Sequence, residues 1–306
     1  MYRFIMILAG AAALAGTPAY AQAPVAVQGE AAAGETVELP FAPPLGRTLR
    51  YRLVRERSGA RGPERHEVHF NIAFRRVGAD YVMSSLPLLP AGVPRPPESS
   101  PFALVVNRPT EFRIGENGEI IELLDLERHW EAAEAGLAEL DRANPNPRAR
   151  EAAAAVLRRI RAMPPDAQIE LFSRNIAPVI GAAGATFPIG RELRDERTAP
   201  SIGGSLQQSS TESVTHVDDF MVRLVWRASV PSAELEARAR ALYGPNAPPG
   251  QGPAAFRVIS NDVVQTYEVS RATGLTERFR SETVVVGEEQ GQLRRSVDIL
   301  TLELLP

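Results

Sequence analysis

The chain of 306 residues contains no cysteine. That excludes disulfides, thiolate nucleophiles and cysteine-ligated metals. Lysine is missing too: all 34 cationic side chains are arginine. With alanine, proline and glycine so abundant, a GC-rich genome is the plain cause, and a lone arginine carries little functional meaning. The formal net charge is −3, which gives no overall bias towards nucleic acid. Regularly spaced aromatics for base stacking are lacking. There is no H-E-x-x-H, no G-x-S-x-G elbow, no Walker loop and no G-x-G-x-x-G. After residue 21 no stretch is long and apolar enough to cross a bilayer, which takes about 20 residues.

What is present begins with an export signal. Arg3 precedes an apolar run over residues 4–15, and Ala19-Tyr20-Ala21 forms a small-x-small cleavage site. This pattern predicts a signal peptide over 1–21, cut after Ala21, and a periplasmic or secreted mature protein. Residues 22–34 are alanine-rich without a period and read as a flexible leader.

An N-terminal β-unit is expected over 35–124. Leu49, Tyr51 and Leu53 alternate with Arg50 and Arg52, the period of a strand with one wet face. Val68, Phe70, Ile72 and Phe74 repeat that pattern. Residues 86–101 carry Pro87, Pro90, Pro94, Pro96, Pro97 and Pro101. So many missing N–H donors predict a long surface loop, unusual in bearing Leu86, Leu88 and Leu89. An apolar run over 102–106 and a hairpin at Asn117-Gly118 follow.

At Asp125 the period changes from two to about 3.6. Asp125 is expected to cap a helix whose face holds Leu126, Trp130, Ala133, Leu137 and Leu140. Asn146-Pro147 opens a second helix, and Asp166 a third with Ile169, Phe172, Ile176 and Ile180 on one side. Pro178 should kink or fray its end. A central helical insertion is therefore expected over 125–184.

A C-terminal β-unit is expected over 185–306, with strands around 220–226, 263–269, 276–286 and 293–304 and a turn at Ala272-Thr273-Gly274. Pro188-Ile189-Gly190-Arg191 repeats the order of residue types in Pro44-Leu45-Gly46-Arg47. Two similar β-units, or an open half-barrel, are thus suggested. The expected class is α+β: antiparallel sheets with a central helical insertion. Such an architecture is similar to that of periplasmic lipoprotein carriers, where helices cover an open half-barrel.

Chemistry is sparse. His66 and His69 lie three apart on one strand and so face opposite ways. His216 with Asp218 and Asp219 is the one local acid–histidine cluster, between expected strands. Glu119, Glu122 and Asp125 form a loose carboxylate group. No catalytic residue, metal ligand or cofactor is assigned, and an enzyme is not favoured. The expected role is non-enzymatic binding of an apolar small molecule or an envelope protein. Its candidate lining is Leu86, Leu88, Leu89, Trp130, Leu137 and Phe172, with Arg50 and Arg52 for an anionic head group. The alternatives are a carboxylate or His216 hydrolase and a structural envelope component.

Overall fold

The structure, a computed structural model, describes residues 34–59, 62–88, 109–131, 134–135, 151, 154, 158, 161–201, 204–235, 256–289 and 292–306. It overturns the α+β expectation. The protein is mostly β, with 61% strand against 15% helix, and a central helical insertion is not shown. The two expected β-units are parts of one 11-stranded antiparallel sheet.

The strands are β1 (Thr36–Glu38), β2 (Thr48–Ser58), β3 (Glu64–Val77), β4 (Asp80–Leu88), β5 (Thr110–Ile114), β6 (Ile120–Leu123), β7 (Thr186–Pro188), β8 (Glu192–Ser201), β9 (Gly204–Val217), β10 (Met221–Ser229), β11 (Phe256–Ser270), β12 (Thr276–Glu289) and β13 (Gln292–Leu305). Helix α1 spans Pro165–Ser173 and α2 spans Ala177–Ile180. The large sheet runs β6-β5-β4-β3-β2-β13-β12-β11-β10-β9-β8, and β1 pairs with β7 alongside it. Neighbours are consecutive in sequence everywhere except at β13–β2. The order is that of an up-and-down meander whose last strand returns to its first. Among the described residues its edge strands are β6 and β8.

One face of the sheet carries the core. Across the register Val68, Leu53, Leu302, Phe279, Tyr267 and Leu224 stand side by side on six strands, all buried. Tyr51 and Phe70 lie in the adjacent row, and Met83 faces Phe112 on β4 and β5. Their alternation with polar neighbours is what the period-two pattern predicts. The connection from β6 to β8 lays Ile176, Val179, Ile180, Ala182, Ala183 and Phe187 into the same core, together with Val37, Leu39 and Phe41. The apolar part of the inner face is thus filled by the chain itself.

Several local expectations fail for identifiable reasons. β4 continues through Leu88, so the proline-rich loop begins later; its remainder, like the apolar run at 102–106, lies outside the described residues. Asp125 has φ +54 and makes no cap of the expected kind; helical residues follow it at 126–131. The third helix starts behind Pro164, with Asp166 in its first turn and no side-chain cap. Pro178 splits that helix in two. It has no N–H to give the Arg174 carbonyl, so α1 ends at Ser173 and α2 starts afresh. The second helix's Asn146-Pro147 start lies outside the described residues. Phe220, expected on a strand, is in the β9–β10 turn and 82% exposed.

Other expectations hold. The Asn117-Gly118 hairpin joins β5 to β6, with Gly118 at φ +84. Leu45 makes a parallel bridge to Phe74 of β3, and Ile189 makes one to Val214 of β9. Each bridge precedes a positive-φ glycine, Gly46 or Gly190, and then a hairpin strand. The short sequence repeat therefore has a matching local geometry.

Gly118, Gly184 and Gly274 mark where four segments meet. Leu39 donates to the Ala185 carbonyl at 2.9 Å, Gly184 to the Leu39 carbonyl at 2.7 Å, and Ala42 to the Thr273 carbonyl at 3.0 Å. A Cβ on Gly274, at φ +70, would lie 1.8 Å from the Pro40 carbonyl oxygen, whereas one on Gly190, at φ +73, meets nothing within 4 Å. Gly190→Ala is expected to cost about 1–2 kcal/mol, the left-handed strain alone. Gly274→Ala must also displace backbone and is expected to cost about 4 kcal/mol or more. Urea unfolding of the two variants checks this; equal losses would show that the close approach at Pro40 does not matter.

Candidate functional site

On β2 the core register continues past Leu53 to Arg55 and Arg57, which keep the same face because side chains alternate. The facing residues on β13 are Leu300 and Asp298. The next strands place Ser281 and Thr283 on β12, then Gln265 and Val263 on β11. In these two rows polar side chains on β2, β13, β12 and β11 interrupt the apolar face, which resumes beside them in the buried cluster of Val263, Trp226 and Ala228. Above them is the turn that Pro178 forces between α1 and α2, which carries Arg174 and Asn175. Ile176 fixes that turn by donating to the Ser173 carbonyl at 2.8 Å and by burying its own side chain.

These residues line an open depression with about 520 Å³ of empty space, part of it bulk solvent. Its lining is Arg55, Arg174, Asn175, Val263, Gln265, Phe279, Ser281, Thr283, Asp298 and Leu300. Asp298 accepts a fork from Arg55, at 2.9 Å from Nε and 2.5 Å from Nη2, and a further bond from Arg57 Nε at 2.9 Å. The Arg55 and Asp298 side chains are each 11% exposed. Tyr267 donates its hydroxyl to Gln265 Oε1 at 3.0 Å, which leaves the NH2 end of that amide to donate. One step further along the same face, Gln208 and Asn261 are buried with neither end of either amide bonded.

Arg174 differs from the other two arginines. No hydrogen bond or ion pair from another described residue closes on it. Burial pulls its guanidinium down to about 10, helped by repulsion from Arg55 and Arg57 and opposed by Asp298 and Glu170. At neutral pH it still carries its charge.

The residues expected to form a site fall into two groups elsewhere. Arg50, Asn71 and Leu86 make one cross-strand row, and Arg52, His69 and Leu88 the next. Both rows lie on the face opposite the core. Arg52 there belongs to a ladder of alternating charge across five strands: Arg52, Glu303, Arg278, Glu268 and Arg223. Its closest contacts are Arg52–Glu303 and Arg223–Glu268, both 2.6 Å. Trp130 and Phe172 do meet, edge to face at 5.5 Å, with Trp130 buried. Leu89 and Leu137 lie outside the described residues.

His216 stands on β9, not between strands. It contacts Asp218 at 3.1 Å on the exposed surface. The Asp218 carboxyl accepts the Phe220 and Met221 backbone N–H groups, both at 2.8 Å, and these hold it below its usual range. That arrangement is a turn motif. Glu122 is tied to Arg113 at 3.1 Å.

Sequence reasoning missed Arg55, Asp298 and Arg174. A usable signal existed for the first two: both occupy core-parity positions in strands whose neighbours at that parity, Leu53 and Leu302, are buried. Arg174 left no such mark.

Burial alone would raise the Asp298 carboxyl, but the Arg55 fork and charge, with Arg57, outweigh it and hold the group below the usual carboxylate range. A depressed folded-state value contributes stability above the unfolded-state value of about 3.9 and loses it as pH falls through the folded one. Asp298→Asn is therefore expected to lower stability at neutral pH by about 3–5 kcal/mol, since two guanidiniums lose their counter-charge. It should also flatten the decline of stability below pH of about 4. Chemical denaturation across pH checks both; an unchanged acid limb would remove Asp298 as a source of acid sensitivity.

No protein-family model matches this chain, and no curated protein matches it. The solved crystal structure of Rv2717c from M. tuberculosis is similar over 84% of this chain and 91% of that one, at 8% identity. The TM-score is 0.25, too slight an overlap to carry fold or function from one chain to the other.

Proposed function

We propose that this is a non-enzymatic binding protein that takes a small polar molecule into the inner-face pocket. The observation that carries this reading is the change of character along the inner face. Where the face is apolar it is plugged by Leu39, Phe41, Val179 and Ile180, and where it becomes polar it opens into the depression beside Arg174. A purely apolar ligand finds its natural place already occupied. An enzyme is less well supported. The pocket lining offers Ser281 and Thr283 as hydroxyls but no histidine, and its carboxylate is bound to two arginines. Small-molecule sites of this kind combine a concave wall with a few convergent polar groups.

Export is proposed on Arg3, the apolar run over 4–15 and Ala19-Tyr20-Ala21. Expression with a Gram-negative export system should yield extracytoplasmic protein starting at Gln22 by N-terminal sequencing. Full-length protein retained in the cytoplasm would refute it.

Binding is tested by thermal shift against a panel of neutral, cationic and anionic small molecules. At least one compound should stabilise the wild type, by about 2.7 kcal/mol at a hundredfold excess over its Kd. Ser281→Trp, which puts an indole into the pocket, should abolish that shift. The reading fails if no compound of any charge acts, or if the tryptophan variant responds as the wild type does.

A further inference from the structure

We infer that the occupant of this pocket presents an oxyanion, a carboxylate or a phosphate, and that Arg174 is the side chain that holds it. The inference rests on the small-molecule reading above and narrows it to a chemical class.

The argument is one of charge and geometry. Three guanidiniums, Arg55, Arg57 and Arg174, gather at one end of the inner face. The carboxylate between them, Asp298, accepts the Arg55 fork and the Arg57 bond and takes none from Arg174. Glu170, one turn before Arg174 on α1, contributes the weakest of the opposing charges. Arg174 is left half-buried, charged and without an acceptor among the described residues. An arginine has five N–H donors and no acceptor, so a partner must bring lone pairs. Around it the pocket supplies Asn175, Ser281, Thr283 and Gln265, all able to donate. A cation would meet repulsion from the arginines. A neutral ligand would leave the charge of Arg174 only partly compensated, by Asp298 and Glu170. A carboxylate or phosphate fits the guanidinium fork with two parallel bonds and cancels the excess charge.

The cost side points the same way. Burial and the like charges of Arg55 and Arg57 act against the charge of Arg174, and Asp298 and Glu170 offset only part of this. An arginine kept in such a place is incompletely compensated in the folded state. It gains a favourable role once an anion sits beside it.

The test uses the full-length mature protein, inorganic phosphate and succinate, each compared with chloride at matched ionic strength. Calorimetric titration and thermal melts are read in parallel. At least one oxyanion should bind saturably and raise the melting midpoint beyond the chloride control. Arg174→Met should weaken that binding about ten- to a hundredfold, the usual range for a charged hydrogen-bonding group. In anion-free buffer the same variant should melt no lower than the wild type, because a poorly compensated charge has been removed. Arg174→Lys keeps the charge but loses the fork, and should retain part of the affinity. Response to phosphate alone assigns a tetrahedral group, and response to succinate alone a planar one; both support the inference. It is overturned if neither anion acts beyond chloride, if Arg174→Met binds as the wild type does, or if Arg174→Met melts markedly lower without anion, which would make Arg174 a structural residue. Should neutral compounds bind the wild type and fail on Ser281→Trp while neither anion binds, the pocket stands and the oxyanion falls.

Discussion

Everything in this fold depends on the pairing of β2 with β13. The other neighbours in the sheet follow one another along the chain, in two runs, β2 to β6 and β8 to β13. Only this joint turns two runs of strands into one sheet, and it brings together residues as far apart as Arg55 and Asp298, 243 positions along the chain. Closing so long a loop costs entropy that local hairpins do not pay. Three kinds of interaction offset it. Leu53 packs beside Leu302 in the buried row. Tyr51, on β2, passes its hydroxyl proton donor over β13 to the Thr276 carbonyl on β12 at 2.9 Å, and burial there raises the tyrosine further from ionisation. Arg55 forks onto Asp298. The last of these also forms the wall of the pocket, so the joint that completes the sheet and the site on its inner face share the same residues.

The inner face has a direction. At the Gly274 end of β11 and β12 the N-terminal segment, the β5–β6 hairpin and the stretch around Gly184 press against one another, backbone to backbone. Glycine is needed there because any Cβ would collide with a carbonyl or a neighbouring side chain. In the middle comes the apolar layer. At the far end the same strands carry Asp298, Thr283, Asn261 and Gln208. A sheet with such a gradient has no reason to be hollow throughout. Packing is spent at one end, where it holds the connection from β6 to β8 in place, and hydration or ligand contact is left for the other.

Much of the strand content was legible in the sequence, because Leu49-Tyr51-Leu53 and Val68-Phe70-Ile72-Phe74 each bury one face of an antiparallel sheet. The turns at Asn117-Gly118 and Ala272-Thr273-Gly274 were legible for a backbone reason, their tolerance of positive φ. Strand β9, and how far β8 runs beyond its expected start after Arg191, were not legible. Their residues, among them Gln207, Gln208, Ser209, Ser210 and Thr211, have the β-compatible size of a strand but no apolar alternation to reveal it. The β2–β13 joint was invisible too, since nothing local in either strand names its partner. The site was hidden because apolar alternation on β2 stops at Leu53 while Arg55 and Arg57 continue in register without it, and because Asp298, inside the strand expected over 293–304, does not show from sequence which face it takes. Arg50 and Arg52, expected to hold an anionic head group, share the polar face because they alternate with the apolar residues. The arginines that matter for the pocket are the ones that replace them.

Pro178 shows how one residue links these levels. Ile169, Phe172, Ile176 and Ile180 carry a helical stripe that would run unbroken if position 178 could donate its N–H. A continuous helix would keep residue 174 within a regular turn, its carbonyl bonded and its backbone held by the next turn. The proline removes that bond, and the chain turns over residues 174–176 before α2 begins. Ile176 and Ile180 still reach the core, so the break does not cost the packing. What it changes is the position of Arg174, which ends α1 directly above the two polar rows. The sheet contributes rigid groups, fixed by strand pairing and by the Asp298 bridges. The connection contributes Arg174, which, of the three guanidiniums at the pocket, is the one with no partner among the described residues. A binding site built from a rigid wall and a separately anchored cation needs both the long-range joint and the local break, and the sequence encodes the second with a single residue.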